Sequence, residues 1–278
     1  MSKPFDHHHA RKRFGQHWLK DRDVLRQILI AADLGQEDVV LEVGPGRGAL
    51  TELLLNSPVA AVQAVELDRD LVAGLSERFA HDPRFSLLSG DVLRVPLPAA
   101  TKVVANIPYN ITGPLLERLV GRLDRPVREP YQRLVLLLQR EVAERIRALP
   151  GSSCYSALSV RLQLLGRASK VCAVPARCFD PPPRVESEVI RYDPLPAAER
   201  LDPSLAQQLE QLLKVSFLAR RKMLRNSLAP LLPLAELEPL AQRAGINLAQ
   251  RPQEIAPAAW VALAKGLNQR SAMPRESE

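Results

Sequence analysis

One short stretch constrains this chain more than any other. Glu42-Val43-Gly44-Pro45-Gly46-Arg47-Gly48 follows the apolar run Val39–Leu41 and precedes a segment, 49–55, with helical character. A buried strand that ends in a glycine-rich turn and leaves as a helix opens an α/β unit. Glycines there let the backbone turn tightly and come close to a ligand. Alone, the cluster is ambiguous. Gly44-Pro45-Gly46-Arg47-Gly48-Ala49 also fits the Gly-x-Gly-x-x-Ala form of the dinucleotide fingerprint, so a nicotinamide site or a plain tight turn stays open. The lysine that a phosphate-binding Walker loop requires is missing, which argues against phosphate-driven chemistry.

The chain continues in the same style. Strands are expected at Val62–Leu67, Ser86–Leu88, Lys102–Ile107, Leu134–Leu138, Lys170–Val174 and Glu188–Tyr192. Helices are expected at Arg69–Ala80, Pro114–Leu123, Glu141–Ala148 and Ser156–Leu165. Alternating strands and helices imply a largely parallel sheet covered on both faces. After Pro194-Leu195-Pro196 only helical spacing remains: Leu205, Leu209, Leu212, Leu213 and Phe217, then segments at Leu234–Ala244 and Pro257–Leu267. The expected division is a catalytic domain over 1–195 with a basic N-terminal arm, and a smaller α-helical domain over 196–278.

Two acids follow the glycines at telling positions. Glu66 stands 22 residues after Gly44, at the end of the second strand, where α/β sheets place a carboxylate that accepts from ribose hydroxyls. Asp91 follows the third strand and can accept from an adenine amino group. The next strand runs into Asn106-Ile107-Pro108-Tyr109, which resembles the Asn-x-Pro-Tyr signature of amino-methyltransferases. The adenine N6 lone pair is delocalised into the ring, so the amine is a poor nucleophile. The Asn106 side-chain oxygen and the Ile107 carbonyl can hold its two N–H bonds and aim the lone pair at a sulfonium methyl. Pro108 fixes the backbone, and Tyr109 can stack on an extruded base. Alignment and electrostatics would then supply most of the rate.

Composition narrows the partners. The 278 residues carry 38 Lys+Arg and 31 Asp+Glu, a net +7. Residues 1–30 contribute 7 − 3 = +4, residues 196–278 contribute 11 − 8 = +3, and residues 31–195 balance at 20 − 20 = 0. An excess confined to the two ends suggests a polyanionic partner. The 46% hydrophobic and 25% charged fractions exclude a disordered or collagen-like chain. No apolar run approaches a membrane span, and the N-terminus lacks the apolar stretch of a secretion signal. Three cysteines, Cys154, Cys172 and Cys178, without metal-ligand spacing, fit a reducing cytoplasm, and no metal is expected.

Three further motifs extend the likeness to most of the chain. Arg11-Lys12-Arg13-Phe14-Gly15-Gln16-His17-Trp18-Leu19 is similar to Lys-x-Phe-Gly-Gln-Asn-Phe-Leu of the ribosomal RNA small-subunit adenine-N6,N6-dimethyltransferases. Leu138-Gln139-Arg140-Glu141-Val142 is similar to their Leu-Gln-Lys-Glu-Val, and Phe179-Asp180-Pro181-Pro182-Pro183-Arg184-Val185-Glu186-Ser187 to their Phe-x-Pro-Pro-Pro-Lys-Val-x-Ser. The resemblance covers about residues 8–270. It implies a Rossmann-like S-adenosylmethionine-dependent methyltransferase fold with a C-terminal helical domain. It implies cofactor contacts from His17, Leu19, Gly44, Gly46, Glu66, Asp91, Val92 and Asn106, with His17 and Trp18 departing from the usual Asn and Phe. Phe179 is expected to cover the target base opposite Tyr109.

The implied reaction is dimethylation of two adjacent adenosines near the 3′ end of small-subunit rRNA, in an immature 30S-type subunit, by a cytoplasmic monomer. Arg11, Lys12 and Arg13, and Arg220, Arg221, Lys222 and Arg225 read as lying on one helix, are expected on RNA phosphates. A large-subunit adenine methyltransferase of the antibiotic-resistance type and a non-catalytic ribosome-assembly factor are the alternatives.

Overall fold

A computed structural model describes Arg11 and residues 15–271, the side chains of 270 and 271 left aside. Lys12 and Arg13, two of the expected RNA contacts, lie outside the described residues. In chain order the first elements are β1 (Trp18–Leu19), α1 (Arg22–Ala32), β2 (Val39–Val43), α2 (Ala49–Leu55), β3 (Ala61–Glu66), α3 (Arg69–Arg78), β4 (Phe85–Ser89) and β5 (Lys102–Asn106). Next come α4 (Thr112–Val120), β6 (Arg133–Gln139), α5 (Arg140–Arg147), α6 (Ala157–Leu165), β7 (Gly166–Val174), β8 (Phe179–Asp180) and β9 (Ser187–Pro194). The last are α7 (Pro203–Leu218), α8 (Leu224–Ser227), α9 (Leu234–Arg243) and α10 (Pro257–Ser271).

Seven strands make one sheet in the order β4-β3-β2-β5-β6-β9-β7. The run from β4 to β6 is parallel, and β9 runs antiparallel to β6. The chain winds outward from β2 first one way and then the other. Its switch point therefore lies between β2 and β5, and a crevice is expected beyond the carboxyl ends of those strands. Val40, Leu41, Val103, Val104, Leu134 and Leu136 are all wholly buried, as strands covered on both faces require.

Helix α1 is an element that sequence pattern alone did not assign. Asp21 caps it by accepting from the backbone N–H groups of Asp23 and Val24, a bond of the kind worth about 1 kcal/mol. Val24, Leu25, Ile28 and Ala32 are its buried face. The Cys178 thiol donates to the same Asp21 carboxylate at 3.4 Å, tying the start of α1 to the turn before β8. Strands β1 and β8 pair antiparallel, Trp18 opposite Asp180 and Leu19 opposite Phe179. This two-residue ribbon was also unassigned.

The chain separates into two compact units. Of the described residues, the first holds those up to 120, 129–143 and 168–194; the second holds those from 195 onward together with 121–128 and 144–167. The helical unit thus draws in α6 and the second half of α5, which lie before the expected boundary at 196. Within it, Trp260 and Tyr155 are completely buried, and the Tyr155 hydroxyl donates to the Ile255 carbonyl at 2.9 Å. Arg161 Nε donates to the two Glu210 carboxylate oxygens at 3.0 and 2.9 Å, and its Nη2 pairs with one of them at 2.8 Å.

Two expected helices need correction. The one expected over Pro114–Leu123 stops at Val120, because Gly121 turns left-handed (φ 87°) and a Cβ there would strike the Pro126 backbone. Arg220, Arg221, Lys222 and Arg225 do not share a helix. Helix α7 ends at Leu218, residues 219–222 form a turn closed by the Lys222 N–H on the Ala219 carbonyl, and Arg225 starts anew on α8. Arg221 and Arg225 therefore do not form an i, i+4 pair.

Candidate active site

The carboxyl ends of β2, β3, β4 and β5 surround a cavity of about 320 Å³ in the first unit. Its position is the switch-point crevice that the strand order demands. Ten expected site residues line it: His17, Gly44, Gly46, Glu66, Asp91, Val92, Asn106, Ile107, Pro108 and Tyr109.

The glycine loop leaves β2 with Gly46 at φ +59°, where Cβ-bearing residues are strained. A Cβ on Gly46 would also lie 2.6 Å from Cδ1 of Trp18, so the indole ring packs directly on this backbone. The Arg47 guanidinium sits 3.9 Å from the centroid of the same ring on a cation–π contact.

Glu66 closes β3 with its carboxylate buried. One oxygen accepts from the Gly46 N–H at 3.1 Å and the other from the Asp68 N–H at 2.9 Å. Burial raises its pKa above the ordinary glutamate value, against these bonds. A carboxylate offers about four lone-pair sites, so two bonds leave acceptor capacity for a ligand's hydroxyl groups. Glu42, behind the loop, is buried completely and accepts from the Thr51 hydroxyl at 2.7 Å. Burial, with the Glu66 charge adding to it, pushes its pKa up to about 8.

Asp91 turns the chain after β4, one oxygen accepting from the Leu93 N–H at 2.9 Å. The Arg118 guanidinium donates to the Leu93 and Val95 carbonyls and fixes that loop. Val92 adds an apolar wall beside it.

Asn106 ends β5, and its side-chain N–H donates to the His17 carbonyl at 2.9 Å. That bond orients the amide, leaving its oxygen as the end directed elsewhere. The His17 ring stacks against Tyr109, with centroids 5.7 Å apart and planes at 26°. Its Nδ1 lies 2.8 Å from the Pro181 carbonyl, so that nitrogen is the donor. The Tyr109 hydroxyl is 2.5 Å from the Ser187 hydroxyl, and burial raises the phenol pKa.

Two expected residues fall elsewhere. Leu19 lines a neighbouring cavity of about 300 Å³, together with Glu42 and Arg47; Trp18, Gly44 and Asn106 border both spaces. Phe179 is 1% exposed, belongs to the main hydrophobic core and lines neither cavity. Opposite Leu19, it takes the inward side of a ribbon whose next residue, Asp180, faces out. Arg11 pairs with Asp68 at 2.9 Å and also with Asp70, so its guanidinium faces carboxylates of this unit. Gly15, Gln16, Trp18 and Asn110 also line the cavity, and no sequence pattern gave them a role there.

The sequence model of a family described as ribosomal RNA adenine dimethylase matches residues 7–269. The chain belongs to that family. As a ribosomal RNA adenine dimethylase it is an enzyme, a methyltransferase with ribosomal RNA as its substrate class. A protein of Parasynechococcus marenigrum (strain WH8102) named ribosomal RNA small subunit methyltransferase A is 70% identical over 270 residues, spanning 95% of this chain and 89% of the relative. One of the same name from Prochlorococcus marinus (strain MIT 9313) is 69% identical over 269 residues, 95% of this chain and 96% of the relative.

Among solved structures, a dimethyladenosine transferase from Plasmodium falciparum superposes with a TM-score of 0.78 at 25% identity, over 92% of this chain and 98% of the other. A 23S rRNA methyltransferase, ErmE, superposes at 0.73 with 27% identity, over 91% and 100%. The Rossmann-like methyltransferase fold with a helical C-terminal region is thus that of the dimethylases. No helix among the described residues is long and apolar enough to cross a membrane.

Proposed function

We propose that this dimethylase uses S-adenosylmethionine to convert N6 of two adjacent adenosines near the 3′ end of small-subunit 16S rRNA to N6,N6-dimethyladenosine. The observation that carries the reading is the single cavity in which Glu66 and Asp91 meet Asn106, Ile107, Pro108 and Tyr109. The residues fit the cofactor. A buried strand-end carboxylate suits ribose hydroxyls, Asp91 and Val92 suit an adenine edge and face, and the Gly44–Gly46 backbone permits close approach. His17 and Leu19 border the side where β1 lies. Bound there, the cofactor supplies an electrophilic methyl group.

The chain's own residues hold the amine. Asn106 Oδ1 and the Ile107 carbonyl accept the two N–H bonds, Pro108 fixes that carbonyl, and Tyr109 stacks on the extruded base. Asn106 is pre-set for this, because its N–H end is already spent on His17. The proton lost by the methylated amine goes to solvent.

We further propose an immature 30S-type subunit as the substrate, a cytoplasmic location and a monomeric enzyme. Arg220, Arg221, Lys222 and Arg225 would contact phosphates. The names of relatives about 70% identical support the small subunit over the large, and the likeness to ErmE, at 27% identity, is weaker support for the other choice. Labelled methyl transfer to unmodified small and large subunits offered together, with the products mapped by primer extension in both RNAs, tests the proposal. Methylation at the paired adenosines is expected; label only in large-subunit RNA would overturn it. Cofactor binding without transfer to either would support the assembly-factor alternative.

A further inference from the structure

We infer that His17 and Ser187 are positioning residues that lock the ring of Tyr109 before a base arrives. The inference rests on the proposed reading of Tyr109 as the surface on which the target adenine stacks. Three segments far apart in sequence meet at this one ring. Tyr109 comes from the turn after β5, His17 from the residue before β1, and Ser187 from the first residue of β9.

The tyrosine is held at two points. At its tip, the hydroxyl bonds to Ser187, whose residue is 0% exposed and paired in the sheet opposite Gln139 of β6. A bond to a group buried in the central sheet leaves the phenol tip little freedom. On its face, the His17 imidazole stacks at 5.7 Å, and that ring is itself held by the Pro181 carbonyl. Neither contact comes from the tyrosine's own loop.

The arrangement also gives a purpose to a motif that the chemistry left unused. Residues Phe179–Ser187 begin with a core side chain, pass through Pro181, which anchors His17, and end on Ser187, which anchors Tyr109. The segment fixes the stacking surface from both sides and its phenylalanine stays in the core. His17 thereby acquires a role other than cofactor contact. Its carbonyl sets the Asn106 amide and its ring sets Tyr109, so one residue aligns both halves of the amine-holding loop.

Rate enhancement by alignment is sensitive to such supports, since a displacement of about 1 Å can cost roughly a hundredfold. The test uses the full-length enzyme with unmodified small subunits, and an RNA carrying fluorescent 2-aminopurine in place of the first target adenosine. His17→Ala and Ser187→Ala should each slow single-turnover methyl transfer by about ten- to a hundredfold. Affinities for RNA and cofactor should stay within about twofold, and 2-aminopurine emission in the complex should change as its stacking loosens.

Tyr109→Phe should match Ser187→Ala. The double variant, which leaves no buried hydroxyl stranded, should be no slower than either single one. His17→Phe, which keeps a ring, should recover part of the rate. Unchanged rate and emission in His17→Ala and Ser187→Ala, with Tyr109→Ala inactive, would overturn the inference and leave the stacking role standing. An active Tyr109→Ala with unchanged emission would overturn the stacking role itself. Weaker cofactor affinity in His17→Ala, with a normal rate at saturation, would return His17 to the cofactor.

Discussion

At the scale of single residues, the site is a set of polar groups whose orientation is fixed before any ligand binds. Asn106 illustrates this. An amide can present oxygen or nitrogen, and the His17 carbonyl takes the nitrogen. Asn106→Ala should therefore cut the single-turnover rate by about a hundred- to a thousandfold, the range seen when one preorganised polar group is removed. RNA affinity should hardly change. A near-normal rate would show that amine alignment does not depend on this side chain.

Glu42 gives a second test through pH. The folded protein keeps its proton up to about pH 8, while an ordinary glutamate releases it near 4.5. Between these values the native state binds more protons than the unfolded chain, so stability falls as pH rises through the window and levels off above about 8. Glu42 contributes at most about 1.4 kcal/mol per pH unit to that slope. Glu42→Gln keeps an acceptor for Thr51 and cannot titrate, so denaturation between pH 5 and 8 should show a flatter decline than the parent protein. Equal slopes would mean that Glu42 is ionised in the fold.

Much of this was legible from spacing, because strand ends converge in a parallel sheet and Glu66, Asp91 and Asn106 each mark one. Phe179 was not. Its direction is set by pairing with Leu19, a residue distant in the chain, and no local pattern reports that.

At the scale of elements, aliphatic runs gave the central strands away, since a strand buried on both faces has few other compositions. Strands β1 and β8 escaped because two residues have no period to read. Helix α1 carried its signals, the Asp21 cap and the spacing of Val24, Ile28 and Ala32, but Arg22, Asp23 and Arg26 interrupt the apolar pattern. The turn at 219–222 has residues that favour helix. It is overridden by backbone bonds from Leu224 to the Gln250 carbonyl and from Arg225 to the Leu248 carbonyl, partners about 25 residues away in sequence.

The loop between β2 and α2 shows the same dependence on distant partners, and it can be tested. Gly46→Ala imposes a left-handed residue with a Cβ, costing about 1–2 kcal/mol, and also pushes into the Trp18 ring. Lower thermal stability and a shift in Trp18 fluorescence are expected together. Lost stability with unchanged fluorescence would mean that the loop moves and the β1 ribbon does not.

At the scale of the whole chain, charge is divided by segment: +4 in residues 1–30, zero in 31–195 and +3 in 196–278. The structure changes the weight of the first group, because Arg11 is engaged by Asp68 and Asp70. The other described candidates for RNA contact, Arg220, Arg221, Lys222 and Arg225, lie at and just after the turn that follows α7. There Arg221 and Lys222 are exposed, while Arg220 donates to the Ser153 carbonyl and Arg225 contacts the Met223 sulfur at 3.1 Å.

Replacing Arg220, Arg221, Lys222 and Arg225 together with Ala should weaken RNA binding at low salt. It should also reduce the slope of log affinity against log salt by about 0.7–0.9 for each phosphate that is no longer neutralised. Cofactor affinity should not change, since none of the four lines either cavity beside the glycine loop. Binding titrations at several salt concentrations decide the matter. A slope equal to that of the parent enzyme would make the turn an ordinary solvated surface and send the polyanion site elsewhere on the chain.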